Sequence, residues 1–227
     1  MEEKRVLDND ISDEMMTAFK TAIEPSRLLM TYYTCAIMEI ETKFKVLNRQ
    51  FSLEQDHNPI ETIKTRLKSV ESIINKLKQK NLPFNVESVE KNLHDVAGIR
   101  VICPFIQDIY MLADCLLEQD DVFLVNWKDY IQHPKENGYR SLHLIVETPI
   151  FLKNEKRMMK VEVQLRTIAM DFWASLEHRM RYKKELNPNL TDYLFQELKD
   201  CAETSAKLDF RMENIKNVIE RNEAPEA

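Results

Sequence analysis

Glu162, Gln164 and Arg166 recur at every second position of a stretch that alternates strictly, with Val161, Val163 and Leu165 between and beside them. That pattern predicts a β-strand over residues 158–166 with its apolar residues on one side and Lys160, Glu162, Gln164 and Arg166 on the other. A polar outer face is ordinary on an antiparallel sheet. An acid, an amide and a guanidinium placed together also suit a metal ion and a nucleotide. Asp95 lies three residues before Gly98, where the chain enters a second β-branched run, Gly98-Ile-Arg-Val-Ile-Cys103. Asp95 and Glu162 are the candidate pair of hard oxygen ligands for Mg²⁺; alone, Asp95 also reads as a turn or cap residue. Arg100 alternates with Ile99 and Val101 and so shares a face with whatever that strand binds.

Between residues 64 and 80 six cations (Lys64, Arg66, Lys68, Lys76, Lys78, Lys80) stand against one acid, Glu71. Lys68, Ser72 and Lys76 are four residues apart and on a helix would line one face, two ammonium groups flanking a hydroxyl that could hold a polyphosphate. A solvated basic face is the alternative. The loop over residues 132–141 gathers Lys135, Tyr139 and Arg140 around Gly138. An exposed tyrosine beside cations is a platform on which a purine stacks, or a structural tyrosine closing a hairpin. His94-Asp95 matches the doublet of HD phosphohydrolases, but no further His and Asp complete such a site, and no HExxH, P-loop, GxSxG or zinc spacing is present.

These residues need elements to hold them. The sequence predicts helices over residues 12–24 and, from Pro25, over 25–51. In the second, Leu29, Tyr33, Ala36, Ile40, Phe44, Leu47 and Phe51 form one apolar stripe. Residues 52–57 read as a loop. Asn58-Pro59 then offers an N-cap and a first-turn proline for a helix reaching Lys80, with Ile63, Leu67, Val70, Ile74 and Leu77 inward. A short helix over 86–94, the strand at 98–103 and a helix over 107–119 follow. Strands are expected at 122–127, 141–148 and 158–166, and helices over 167–185 and 190–221. The order predicts an α/β (α+β) fold, a mixed sheet of four to five strands flanked by helices. In the last helix Leu194, Leu198, Cys201, Ser205, Leu208, Met212, Ile215 and Ile219 are spaced for a seam against another helix, or against the chain's own core.

With 227 residues, 44% apolar and 31% charged, the chain has the composition of a globular protein with room for a full core. A net charge of −6 argues against a general nucleic-acid binder, so an anionic ligand would be held by a local basic cluster. Cys35, Cys103, Cys115 and Cys201 are scattered and read as reduced, mostly core thiols, and the N-terminus lacks the features of a signal peptide, which together predict a cytoplasmic location. Glycine averages about 7% in proteins, yet only Gly98 and Gly138 occur here, so each should sit where the backbone needs it.

Seven ordered segments resemble the synthetase domain of the RelA/SpoT homologues across residues 58–185. They are His57-Asn-Pro-Ile-Glu61; Arg66-Leu-Lys-Ser with Ser72-Ile and Lys76-Leu; His94-Asp-Val-Ala-Gly-Ile-Arg100; Lys128-Asp-Tyr-Ile; Asn137-Gly-Tyr-Arg-Ser-Leu-His143; Glu162-Val-Gln-Leu-Arg-Thr167; and Met170-Asp-Phe-Trp-Ala-Ser-Leu-Glu-His178. The length leaves no room for a hydrolase domain or regulatory tail, so the chain is similar to the stand-alone small alarmone synthetases, of the RelP rather than the RelQ type. The resemblance implies a nucleotidyltransferase-like core over 58–185, an N-terminal helical extension over 1–57 and a C-terminal helix over 186–227 for oligomerisation, in a homotetramer. It implies Mg²⁺-dependent transfer of pyrophosphate from ATP to GDP or GTP, giving AMP and ppGpp or pppGpp for stringent-response signalling. Arg66 and Arg100 would sandwich adenine, and Lys68, Ser72 and Lys76 would hold the ATP phosphates. Asp95 and Glu162 would bind the metal, Glu162 also serving as base, and Tyr139 would stack on guanine. Lys135, Arg140, Gln164, Arg166 and His178 are further candidates for acceptor contacts. An AMP-transferring nucleotidyltransferase, and a catalytically silent nucleotide sensor or RNA-binding regulator, are the competing readings.

Overall fold

In the computed structural model, residues 23–54, 58–181 and 188–223 are described. A long helix, α1 (Ile23–Glu54), is followed by β1 (Thr62–Leu67), α2 (Val70–Gln79), α3 (Val86–Asn92), β2 (Ala97–Cys103) and α4 (Ile106–Leu117). Then come β3 (Phe123–Asp129), β4 (Leu142–Phe151), β5 (Lys156–Thr167), α5 (Ile168–Arg181) and α6 (Pro188–Glu223). The strands form one mixed sheet in the order β1-β2-β5-β4-β3, with β2 and β5 parallel and every other neighbouring pair antiparallel. The expected α+β fold is therefore present.

Alternation divides the sheet into two faces. Ile99, Val101, Leu144, Val146, Val161, Val163 and Leu165 are buried on the inner face, where the stripe of α1 and Ile109, Leu112 and Leu116 of α4 cover them in one core. Phe44 and Ile40 of α1 are fully buried there, and truncating such a phenylalanine to alanine costs about 3–5 kcal/mol. With one face sealed, the polar residues of β2, β4 and β5 have only the opposite face to occupy.

Two expectations need correction. No helix runs over residues 58–80. Thr62–Leu67 is an edge strand antiparallel to β2, and Asn58 makes a turn by accepting from the Ile60 amide (3.0 Å) instead of capping a helix. The helix begins only after Ser69, whose hydroxyl accepts from the Ser72 amide at 3.2 Å as a true N-cap. The 4-3-4-3 spacing of Ile63, Leu67, Val70, Ile74 and Leu77 imitated one helix face. In fact Leu67 is exposed, while Ile74 and Leu77 are buried from α2 alone. Secondly, α1 starts at Ile23, so Pro25 lies inside its first turn, and it runs on to Glu54. The helix expected over 12–24 otherwise falls outside the described residues.

The long helix α6 turns a largely polar side to its own chain. The Trp173 indole N–H donates to Leu198 O (2.8 Å), Ser205 Oγ to Ala169 O (3.2 Å) and Thr167 Oγ1 to Asp209 (2.5 Å), and Glu213 accepts from the Gln107 amide (2.8 Å). Leu208, Met212, Ile215 and Ile219, the far end of the predicted seam, remain 49–56% exposed. Of the cysteines, Cys103 is buried, Cys35 and Cys115 are half-buried and Cys201 is exposed. No helix among the described residues is long and apolar enough to cross a membrane.

Candidate active site

Strand register assembles the site. Lys64 on β1, Arg100 on β2, Gln164 on β5 and His143 on β4 pair in turn across the sheet and form one row of its polar face. The adjacent row holds Arg66, Gly98 and Glu162. These residues, with Lys68, Asp95, Lys135 and Tyr139, line a cleft of about 610 Å³. Gly98 has no need of an unusual backbone. A Cβ there would meet Arg66 O and Glu162 O only at 3.6 and 3.9 Å, so its lack of a side chain serves the cleft by leaving its floor open. Gly138 does have a backbone reason, with φ at +85° and Ala202 Cβ of α6 only 2.5 Å from where its own Cβ would stand.

Asp95 sits in the short connection from α3 to β2. Lys68, which follows β1, and Lys76, on α2, both donate to its Oδ2. Lys68 is thus outside the helix it was expected to share with Ser72 and Lys76, yet the two ammonium groups still converge. Burial raises the Asp95 carboxyl, but the hydrogen bonds from Lys68 and Lys76 outweigh it and hold the group below the usual carboxylate range. Its other oxygen, Oδ1, is buried without a hydrogen-bond partner. A carboxylate oxygen buried without a partner is costly, and its chemistry is that of a ligand for a hard cation.

Across the cleft floor, Glu162 Oε2 accepts from Gln164 Nε2 (3.0 Å), and Oε1 lies 3.3 Å from His143 Nδ1. Burial raises this carboxyl too, and hydrogen bonds from His143 and Gln164 carry it below its usual range. Burial lowers the His143 imidazole in spite of Glu162, so near neutral pH the ring is uncharged and what it gives Glu162 is an Nδ1–H hydrogen bond. That tautomer leaves Nε2 to accept from the Tyr139 hydroxyl (2.8 Å), whose oxygen accepts from Arg166 Nη2 (2.5 Å). A directed relay therefore runs from Arg166 through Tyr139 and His143 to Glu162.

Among the described residues no three His, Cys, Asp or Glu side chains gather as a self-sufficient metal site. Two ionised carboxylates, Asp95 and Glu162, open to one cleft instead. This donor set fits an ion that takes one or two carboxylates and completes its shell with water and phosphate oxygens, as Mg²⁺ does.

The remaining candidates divide. Lys135 Nζ is 4.9 Å from the centre of the Tyr139 ring, which is half-buried rather than exposed, and Arg166 is buried behind that ring. Ser72, on α2, is hydrogen bonded to Ser69 and is not among the residues lining the cleft. Arg140 turns away. It donates to Ile131 O (3.1 Å) and lines a separate cavity of about 290 Å³ with Lys199 and Glu203. His178 is exposed on α5, outside the cleft lining. Neither His143 nor Asp171 is among the substrate contacts expected from the sequence. Asp171, in the first turn of α5, is within 3.1 Å of Lys64 and Arg100 and 3.4 Å of Arg166. For His143 a signal was available, since it alternates with Leu142 and Leu144 and must share the polar face; Asp171 lies in a family-like segment, but its partners are too remote in sequence for any local pattern to tie it to them.

Comparison with known proteins gives a consistent result. Residues 65–187 match the family model of the region found in RelA and SpoT proteins. The GTP pyrophosphokinase YwaC of Bacillus subtilis is 44% identical over 93% of this chain and 100% of its own length. The structure of small alarmone synthetase 1 from Bacillus subtilis bound to its product pppGpp superposes with a TM-score of 0.78 at 32% identity, covering 87% of this chain and 99% of that one. Small alarmone synthetase 2 from the same organism gives 0.74 at 45% identity, over 84% and 97%. With the family region matched over more than half of its length and a relative aligned along nearly all of it, the chain belongs to the RelA/SpoT family.

Proposed function

We propose that this protein transfers the β,γ-pyrophosphate of ATP to the 3′-hydroxyl of GDP or GTP, yielding AMP and ppGpp or pppGpp. The observation that carries the reading is the pairing of two ionised carboxylates, Asp95 and Glu162, in a cleft also lined by the cations Lys64, Arg66, Lys68, Arg100 and Lys135. Phosphoryl-type transfer needs little covalent help. It needs charge neutralisation and an aligned nucleophile. Lys64, Arg66, Lys68 and Arg100 give an acidic chain the local positive field that a triphosphate requires. Arg66 and Arg100 flank the open floor at Gly98, where adenine would lie between them. Lys68 and Lys76 would take the phosphates, with Ser72 near the N-terminus of the same helix as Lys76.

Mg²⁺ would be held by Asp95 Oδ1 and Glu162; when bound it neutralises the charge of the phosphate oxygens. Glu162 accepts the proton of the acceptor hydroxyl. Its lowered basicity is tolerable because in a loose transition state the nucleophile's proton leaves late. His143 and Gln164 fix the carboxylate's orientation from both of its oxygens. Guanine would stack on Tyr139 in the space over the ring now covered by the exposed Lys135 side chain, leaving the hydroxyl bonded to His143 and Arg166. Arg140 and His178 would act only by shaping the surroundings.

The identity to YwaC supports the RelP subtype. The exposed stripe of Leu208, Met212, Ile215 and Ile219 supports assembly with further copies of the chain into the expected homotetramer. In this reading residues 58–185 are the catalytic core, 1–57 an extension and 186–227 the oligomerisation helix of a cytoplasmic enzyme. Incubation of labelled ATP with GDP or GTP and Mg²⁺, with separation of the nucleotides, tests the reaction: AMP and a guanosine 3′-pyrophosphate should appear together. Release of pyrophosphate with a nucleotidylated acceptor would show AMP transfer instead.

A further inference from the structure

We infer that Asp171 is a positioning residue that joins the ATP side of the cleft to the guanine-nucleotide side, so that filling one tightens the other. The inference rests on the assignment of Arg100 to ATP and of Tyr139 to the acceptor. Asp171 belongs to neither set of contacts. It stands in the first turn of α5, its side chain only 13% exposed, and its carboxylate divides between the two sides. Oδ1 accepts from Arg100 Nη1 at 3.1 Å and from Arg166 Nη1 at 3.4 Å, while Oδ2 accepts from Lys64 Nζ at 3.1 Å.

On the ATP side this carboxylate is the main restraint on Arg100. The Arg100 Nε is buried without a hydrogen-bond partner, and Nη2 reaches Gln164 Oε1 only at 3.5 Å. A guanidinium that must lie flat against a base therefore takes its orientation from Asp171. On the acceptor side, Arg166 is 4% exposed and carries the Tyr139 hydroxyl on Nη2 and Gln164 Oε1 at 2.9 Å on the same nitrogen. Arg100, Asp171, Arg166, Tyr139, His143 and Glu162 thus form one unbroken chain of contacts. Without the charge at position 171, Lys64, Arg100 and Arg166 would face one another with no shared counter-ion. Arg100 would then keep only its 3.5 Å contact to Gln164 and would be ordered by its own substrate alone, without a charged link to Arg166. With the charge, ordering Arg100 against a bound nucleotide also orders Arg166, so part of the entropy of organising the second subsite is spent by the first.

The experiment is calorimetric titration of the full-length protein with a non-hydrolysable ATP analogue, alone and with saturating GDP, for wild type and Asp171→Asn. Wild type should bind the analogue several-fold more tightly when GDP is present. Asp171→Asn should bind each nucleotide more weakly and lose that factor, and Asp171→Glu, which restores a carboxylate, should recover part of it. If the unpaired Arg166 prevents Asp171→Asn from folding, the charge-conserving pair Asp171→Asn with Arg166→Gln breaks the same joint and should likewise lose the coupling. An uncoupled wild type, or a folded variant as strongly coupled as wild type, overturns the inference. Product formation by wild type from ATP and GDP is measured beside it. Failure there removes the substrate assignment and the inference with it, whereas intact synthesis with unchanged coupling in the variant removes the inference alone.

Discussion

Gly138→Ala is a perturbation whose size can be worked out in advance. At φ +85° an alanine occupies left-handed backbone, which costs roughly 1–2 kcal/mol. Its methyl would also stand 2.5 Å from Ala202 Cβ, on a helix that is itself pinned through Leu198, Ser205 and Asp209. Overpacking of that kind adds about 1–3 kcal/mol. The exposed loop is the softer partner, so it should lift from α6 and carry Tyr139 with it. Losing the stacking contact proposed for Tyr139, worth about 1–3 kcal/mol, should raise the acceptor KM by about one to two orders of magnitude, while the ATP KM should change little. Thermal unfolding and steady-state kinetics for both substrates measure the two consequences on one preparation. Adding Ala202→Gly removes the collision but leaves the backbone strain and introduces a helix glycine costing about 1 kcal/mol. The acceptor KM should then return toward wild type while the Tm stays low. A Gly138→Ala enzyme with an unchanged acceptor KM, or a double variant no better than the single one, would show that the contact with α6 does not position Tyr139.

Tyr139→Ala should raise the acceptor KM by about one to two orders of magnitude, the value of one stacked base, and affect ATP far less; the reverse split in initial-rate data would move the tyrosine to the other substrate. Tyr139→Phe keeps the ring but cuts the relay to His143, so it should lower kcat with a smaller change in KM. Burial, reinforced by Glu213 and opposed by the Thr167 hydrogen bond, raises Asp209 from 3.8 to about 6. The folded protein therefore holds a proton that the unfolded chain releases, and the stability this group contributes is present at low pH and lost as pH rises through about 6. Asp209→Asn should accordingly be more stable than wild type at pH 7.5 by up to about 3 kcal/mol, the gain vanishing near pH 4; urea denaturation that finds no gain at pH 7.5 contradicts it.

Much of the site was legible because alternation is a local signal. The polar face of β5, Arg100 on β2 and Asp95 ahead of it all lie where period-two reasoning puts them. The edge strand β1 was not legible. It buries almost nothing, so its exposed Thr62, Lys64 and Arg66 left no period-two apolar signal, and Ile63 and Leu67 continued the spacing of the helix beyond. Arg140 shows a second limit. Its neighbours in sequence belong to the cleft, but the turn at Gly138 sends adjacent side chains to opposite sides of the loop, Tyr139 inward and Arg140 toward α6. Asp171 shows a third, because its bond to Lys64 spans 107 residues and only the closed sheet brings the two together.

Glu162→Gln separates the proposed base and metal ligand from the rest of the cleft. Glutamine preserves the strand pattern and the side chain's size but removes the charge and the basic lone pair. Product formation from labelled ATP and GDP with Mg²⁺ should fall by at least about 10²–10⁴ in kcat, the range for loss of a general base. ATP binding, measured calorimetrically on the same sample, should persist through Arg66, Lys68, Lys76 and Arg100, which lie on other elements. A folded variant that still makes AMP and ppGpp at near the wild-type rate would remove Glu162 from the mechanism.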